Sequence, residues 1–156
     1  MPNPKSTQSF KEMKRSGWHA KSVSYDDLFW PITRDAMGPL LDAAGVDANS
    51  TVLDVASGPG YGAAAAAARG ATTVGIDFAD NMIATAKQNY PNINFRHGDA
   101  ENLAFKDASF DAVICAFGIL HMPQPQKAVA EAFRVLKSGG RYAFTAWASA
   151  DKNEFF

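Results

Sequence analysis

TVLDVASGPGYGAAAAAA, residues Thr51 to Ala68, decides the fold. Thr51–Val55 is a short β-branched and apolar run, the length of a buried strand. It carries Asp54 near its end, and Ser57-Gly58-Pro59-Gly60-Tyr61-Gly62 then forces a sharp turn. Ala63–Ala68 follows with the highest helix propensity available. Strand, glycine-rich turn and helix in this order make the first half of a nucleotide-binding βα unit. Its glycines permit positive φ and a close approach of backbone to ligand. Its helix start offers free N–H donors. A plain tight βα loop needs fewer glycines and no acid.

The ligand is decided by charge. Gly58-x-Gly60-x-x-Ala63 satisfies the dinucleotide fingerprint, in which alanine can replace the third glycine. Yet Asp54 stands just before the loop, where it repels phosphate and attracts a cation. No Lys or Arg lies between Thr51 and Ala68. The loop therefore suits an adenosine bearing an ammonium or sulfonium group better than a pyrophosphate.

The remaining composition sets bounds. A chain of 156 residues makes one domain with a sizeable core. Its 47% hydrophobic and 20% charged residues are those of a globular protein. A net charge of −1 gives no broad attraction to nucleic acid or anionic membrane. The single cysteine, Cys115, forms no internal disulfide and fits a reducing compartment. No apolar run approaches a membrane span, and residues 1–15 lack a signal-peptide core, so a cytoplasmic location is expected. No metal is expected.

Residues 1–23 read as a flexible tail and the start of a lid, and residues 24–156 as the domain. Tyr25 is the lid's expected ligand contact, among aromatics that equally suit capping of the core. Thr33 is expected to cap a helix through about Ala44, with Met37, Leu40 and Leu41 on its buried face. Thr72–Ile76 is a second strand, ending at Asp77. An acid there, nineteen residues beyond Gly58, is the usual partner of ribose hydroxyls, though it also suits capping of the helix Ala79–Asn89. Met82 in that helix is either an adenine contact or core filler. Ile93–Arg96 is a third strand, leading to Asp99-Ala100-Glu101. Phe110–Phe117 reads as a central parallel strand, continuous in apolar residues. A loop with His121 follows, then a helix from Pro125 to Lys137 with Val129, Ala132, Phe133 and Leu136 on one face. Ser138-Gly139-Gly140 ends it, and Arg141–Trp147 is the fifth strand.

VLDVASGPGYG, VGIDFADNM, HGDAENLAF, SFDAVICAFGILHMP and RVLKSGGRYAFTAW, in this order and spacing, resemble the motifs of class I S-adenosylmethionine-dependent methyltransferases. The closest likeness is to the small-molecule group that includes the ubiquinone/menaquinone-biosynthesis enzymes. The resemblance implies a Rossmann-like α/β fold: an open, mainly parallel sheet of order 3-2-1-4-5 with helices on both faces. It implies S-adenosyl-L-methionine as cofactor, S-adenosyl-L-homocysteine as product and a small-molecule acceptor.

By position, it places Asp54, Ala56, Gly58, Gly60 and Tyr25 around the methionine part. Asp77 falls on the ribose, Phe78 and Met82 flank the adenine, and Asp99, Ala100 and Glu101 lie at the base. Cys115 and Phe117 line the sulfonium end. His121 is the candidate general base, if the acceptor must lose a proton. Ala56 departs from the pattern, since glycine is common there.

Family members usually add strands 6 and 7, which this sequence lacks. That leaves a second reading, a cofactor-binding but catalytically incompetent truncated or regulatory module. It also predicts self-association through the apolar edge 141–147. A nicotinamide-dependent reductase is disfavoured, because no basic group awaits its pyrophosphate.

Overall fold

In the computed structural model of the chain, residues 12–13 and 30–149 are described. The lid, with Tyr25, falls outside them. Five parallel strands form one sheet: β1 (Thr51–Val55), β2 (Thr72–Asp77), β3 (Asn94–His97), β4 (Phe110–Ala116) and β5 (Leu136–Thr145). Their order is β3-β2-β1-β4-β5, as the motifs imply. The order reverses between β2 and β4 on either side of β1, so crevices open at the carboxyl end of β1.

β1 pairs with β2 from Thr51↔Thr72 to Val55↔Ile76 and with β4 from Val52↔Ala112 to Asp54↔Ile114. Val52, Leu53, Val113 and Ile114 are wholly buried because both faces of the central strands are covered. On one face lie α2 (Met37–Ala43) and α3 (Tyr61–Ala68), with Met37, Leu40, Leu41 and Ala66 packed on Val52 and Ile114. Beside α3 on that face lies α4 (Asp80–Asn89), whose Ile83 and Ala86 pack with Ala63 and Phe95. Across the sheet, Ala132 and Val135 of α5 (Pro125–Val135) pack on Leu53, Val55 and Val113.

Three local expectations are corrected. Thr33 caps no long helix: it is buried at the end of α1 (Trp30–Thr33), its side chain makes no cap hydrogen bond, and a 3-10 turn, Arg34–Ala36, leads into α2. α5 ends at Val135, before the glycines, because its last carbonyls are taken by the preceding turn. Ala108 N–H donates to Arg134 O and Ser109 N–H to Val135 O. Ser138–Gly140 lie instead in an irregular start of β5, where the pairing with β4 slips between Phe110 and Ala112. Phe133 is 64% exposed; the buried stripe of α5 runs through Ala128, Ala132 and Val135.

Candidate active site

Two buried carboxylates lie at the ends of adjacent strands. Asp54 is the penultimate residue of β1, at 1% exposure, and Asp77 closes β2 at 6%. Each holds the glycine loop from beneath. Asp54 Oδ2 accepts the Ala63 N–H at 2.7 Å, in the first turn of α3. Asp77 Oδ2 accepts the Gly58 N–H at 2.9 Å, and its Oδ1 accepts the Ala79 N–H at 2.9 Å. Asp77 thus serves both the entry to α4 and the glycine loop.

The glycines divide by function. Gly58, at φ +52, has nothing within 4 Å of where a Cβ would stand, so its outer side is open to a ligand. Gly60, at φ +97, backs onto the Phe95 ring, which an added Cβ would meet at 2.7 Å. Packing alone demands glycine there.

Asp54, Ala56, Ser57, Gly58, Tyr61 and Phe117 line a crevice with Thr33 and Met37. Asp54 Oδ1 and Ser57 Oγ are buried and have no hydrogen-bond partner among the described residues. Such orphaned acceptors are costly unless a donor arrives. Burial first, with Asp77 adding to it against the Ala63 N–H, pushes the Asp54 carboxyl up to about 7. Burial likewise raises Asp77, against its backbone hydrogen bonds and His97. A bound cation favours the charged form of such a group. The ammonium of S-adenosylmethionine therefore fits this crevice, in which Asp54 is the charged side chain among the described lining residues, and a pyrophosphate does not.

Beyond β3, Asp99 Oδ1 accepts the Glu101 N–H at 2.9 Å, closing the turn that presents Ala100. Glu101 is 2% exposed, and its Oε1 accepts the Gln124 N–H at 2.8 Å, binding this turn to the start of α5. Its carboxylate is thus committed to the loop after β4. Glu131 and Arg134 brace the same segment: Leu103 N–H donates to Glu131 Oε2 at 2.8 Å, and Arg134 donates to the carbonyls of Leu103 and Phe105, each at 2.9 Å.

The remaining expected residues differ in exposure. Met82, 2% exposed, is interior, while Phe78 is half-buried just past Asp77. Cys115 is wholly buried in β4, and burial pushes its thiol up to about 12. It backs the site and is no nucleophile; its neighbours Ala116 and Phe117 line the crevice. His121 is half-buried at the end of a 3-10 turn, Ile119–His121. Ala56 and Phe117 both adopt left-handed backbone, φ +57 and +56. Ser57, Tyr61, Thr33 and Met37 join the lining without having been singled out. Ser57 and Tyr61 lay within the loop motif, whereas Thr33 and Met37 arrive by folding alone.

An open 3-2-1-4-5 parallel sheet with acids at strand ends around a glycine turn is the fold of the class I S-adenosylmethionine-dependent methyltransferases, a family whose cofactor is S-adenosyl-L-methionine. The family model for a methyltransferase domain matches residues 53–144, and the chain belongs to that family. A demethylmenaquinone methyltransferase of Renibacterium salmoninarum is 40% identical over 119 residues, covering 76% of this chain and 50% of that protein. A ubiquinone/menaquinone biosynthesis C-methyltransferase of a Bradyrhizobium strain is 39% identical over 120 residues, with 71% and 47% covered. The YcgJ protein of Bacillus subtilis has a similar crystal structure, with a TM-score of 0.67 and 32% identity over 71% of this chain and 50% of its own. The chain spans about half the length of the curated relatives it matches.

Proposed function

We propose that this chain binds S-adenosylmethionine in the Asp54–Asp77 crevice and serves methyl transfer to a small quinol-type acceptor. The observation that carries the reading is the pair of buried carboxylates around Gly58, with orphaned acceptors at Asp54 and Ser57. The acceptor class is drawn from the relatives, two of which bear the names of menaquinone-pathway methyltransferases.

The bound cofactor supplies a methyl group on a sulfonium, already a good leaving group. The chain's own task is then to position and to exclude water. Asp54 takes the ammonium, and Asp77 takes the ribose hydroxyls through lone pairs left beside its two backbone bonds. Asp99 and the Ala100 N–H meet the adenine, held in place by the Glu101, Glu131 and Arg134 braces. Phe117 and Ala116 close the reacting end. His121 stands on the loop after β4, where a base would receive the proton of a phenolic or carbon acid.

Calorimetric titration with S-adenosylhomocysteine and NADH tests the cofactor, with binding of the first and none of the second expected. A methylation assay with a demethylmenaquinol tests the acceptor. Binding without methyl transfer would favour the incompetent module, and NADH binding alone would overturn the reading.

A further inference from the structure

Phe117 is the first residue beyond the β4–β5 ladder, whose last pair is Ala116↔Thr145. Its backbone is left-handed, φ +56, a conformation that glycine adopts freely and bulky side chains rarely do. Ala56 and Ala108 share it among the described non-glycine residues, and neither carries more than a methyl group. Such a residue persists only where its surroundings fix it, and such sites cluster where ligands bind. Phe117 lines the crevice that also holds Asp54, Ser57 and Gly58. Position 117 thus keeps a large side chain at the site against the preference of its own backbone.

What fixes the turn lies on the neighbouring strand. Past the last ladder pair, the Phe117 N–H donates to a side chain, Thr145 Oγ1, at 3.1 Å. Trp147 packs on the Phe117 ring, centroids 4.6 Å apart, which leaves the Thr145 hydroxyl as the polar contact on the backbone of the turn. Thr145 itself is half-buried and does not line the crevice. A half-buried amide stripped of its acceptor is costly, so the left-handed turn depends on that one oxygen.

We propose that Thr145 is a positioning residue of the cofactor crevice: its hydroxyl locks the left-handed turn at Phe117 and so holds that side chain where the methionine part of the cofactor binds. This rests on the functional reading above and extends it to a residue of the edge strand that touches no ligand. The adenosine part, met at the ends of β2 and β3, is held without it.

The test titrates the full 156-residue chain with S-adenosylhomocysteine and, separately, with adenosine, which lacks the methionine part. Thr145→Val keeps the β-branch and removes the acceptor. It is expected to weaken S-adenosylhomocysteine binding at least fivefold and adenosine binding less than twofold. Thr145→Ser, which keeps the hydroxyl, should change both less than twofold. In a Phe117→Gly background the turn is free of strain and the side chain is gone, so Thr145→Val should cost less than twofold further. If Thr145→Val does not fold, Thr145→Ala carries the same expectations. Equal losses for both ligands, unchanged affinity for both, or the full loss again in the Phe117→Gly background would each overturn the positioning role and leave the cofactor reading standing. Absence of S-adenosylhomocysteine binding by the parent overturns that reading itself.

Discussion

Asp77 holds the Gly58 amide: its Oδ2 accepts that N–H at 2.9 Å, joining the end of β2 to the turn after β1. One carboxylate therefore shapes the turn after β1, and on the proposed function it also takes the ribose hydroxyls. Asp77→Ala is expected to weaken S-adenosylhomocysteine binding at least tenfold, since charge-assisted bonds to hydroxyls are worth roughly 1.5–3 kcal/mol each. It should also lower stability, because the Gly58 and Ala79 N–H groups each lose a partner, at about 1–3 kcal/mol per buried donor. Titration calorimetry and thermal melts check both. Unchanged affinity in a destabilised variant would confine Asp77 to loop support.

Asp54 makes binding and stability depend on pH in opposite senses. Its carboxyl rises to about 7 in the folded chain, mainly through burial, from an ordinary value of 3.8. Between those values the folded state holds a proton that the unfolded state releases. Its contribution to the ligand-free protein is therefore fully present at low pH and is lost as pH rises toward 7. Cofactor affinity is expected to run the other way, because on the proposed function the ligand's ammonium pairs with the carboxylate. S-adenosylhomocysteine should bind about tenfold tighter at pH 8 than at pH 6. Asp54→Asn should flatten that slope while binding more weakly throughout; a slope of equal size in the variant assigns it to another group.

Asp99 should read the base. Its Oδ1 is engaged by the Glu101 N–H, and asparagine keeps that bond through its own Oδ1 while replacing the other oxygen with an amide donor. Asp99→Asn should therefore preserve the turn and disfavour the adenine amino group. Affinity for S-adenosylhomocysteine should fall at least fivefold relative to its inosine analogue. Parallel loss for both ligands would place Asp99 away from the base.

Ala56 shows why glycine suits its position in similar sequences. At φ +57 an alanine sits in left-handed space, at a cost of roughly 1 kcal/mol relative to glycine. The Ala56 Cβ also comes within 2.6 Å of where a Cβ on Gly118 would stand, so the two strand ends are closely packed. Ala56→Gly is expected to raise stability by up to about 1 kcal/mol, offset in part by the freer unfolded chain, and to leave cofactor affinity unchanged. Denaturant titration decides it, and a loss of stability would show that the methyl's packing outweighs the strain.

The sheet was legible because each strand that carries the site ends on a turn or an acid: Asp54, Asp77 and the turn Gly98-Asp99 stand where strand-end ligands are held. Its order came through the motif series rather than from periodicity. What escaped the sequence depended on direction and on distance. β4 is buried on both faces, so no alternation told that Cys115 points inward while Phe117 reaches the crevice. Glu101 looks like one more strand-end acid, and only folding brings Gln124 to its carboxylate. The end of α5 is hidden in the sequence because the glycines at 139–140 signal a stop more strongly than the turn Ala108–Ser109, which caps the helix from a distant part of the chain.

β5 carries the last prediction. Among the described residues it pairs with β4 alone and forms an edge of the sheet. Its lower half is guarded by Lys137, which is engaged by Asp111 at 3.0 Å, and by the exposed Arg141. Its upper half, Tyr142–Thr145, has neither Lys nor Pro, and Phe144 is 50% exposed there. A strand edge of this kind offers unpaired backbone donors and acceptors to any similar strand. The 156-residue chain on its own is therefore expected to self-associate, with a mean mass by light scattering that climbs across a micromolar concentration series. Phe144→Lys should hold it monomeric by placing a charge on the same edge. A parent chain that stays monomeric at high micromolar concentration refutes the prediction, and association undiminished in the variant moves the contact to another surface, such as the exposed Phe133 of α5.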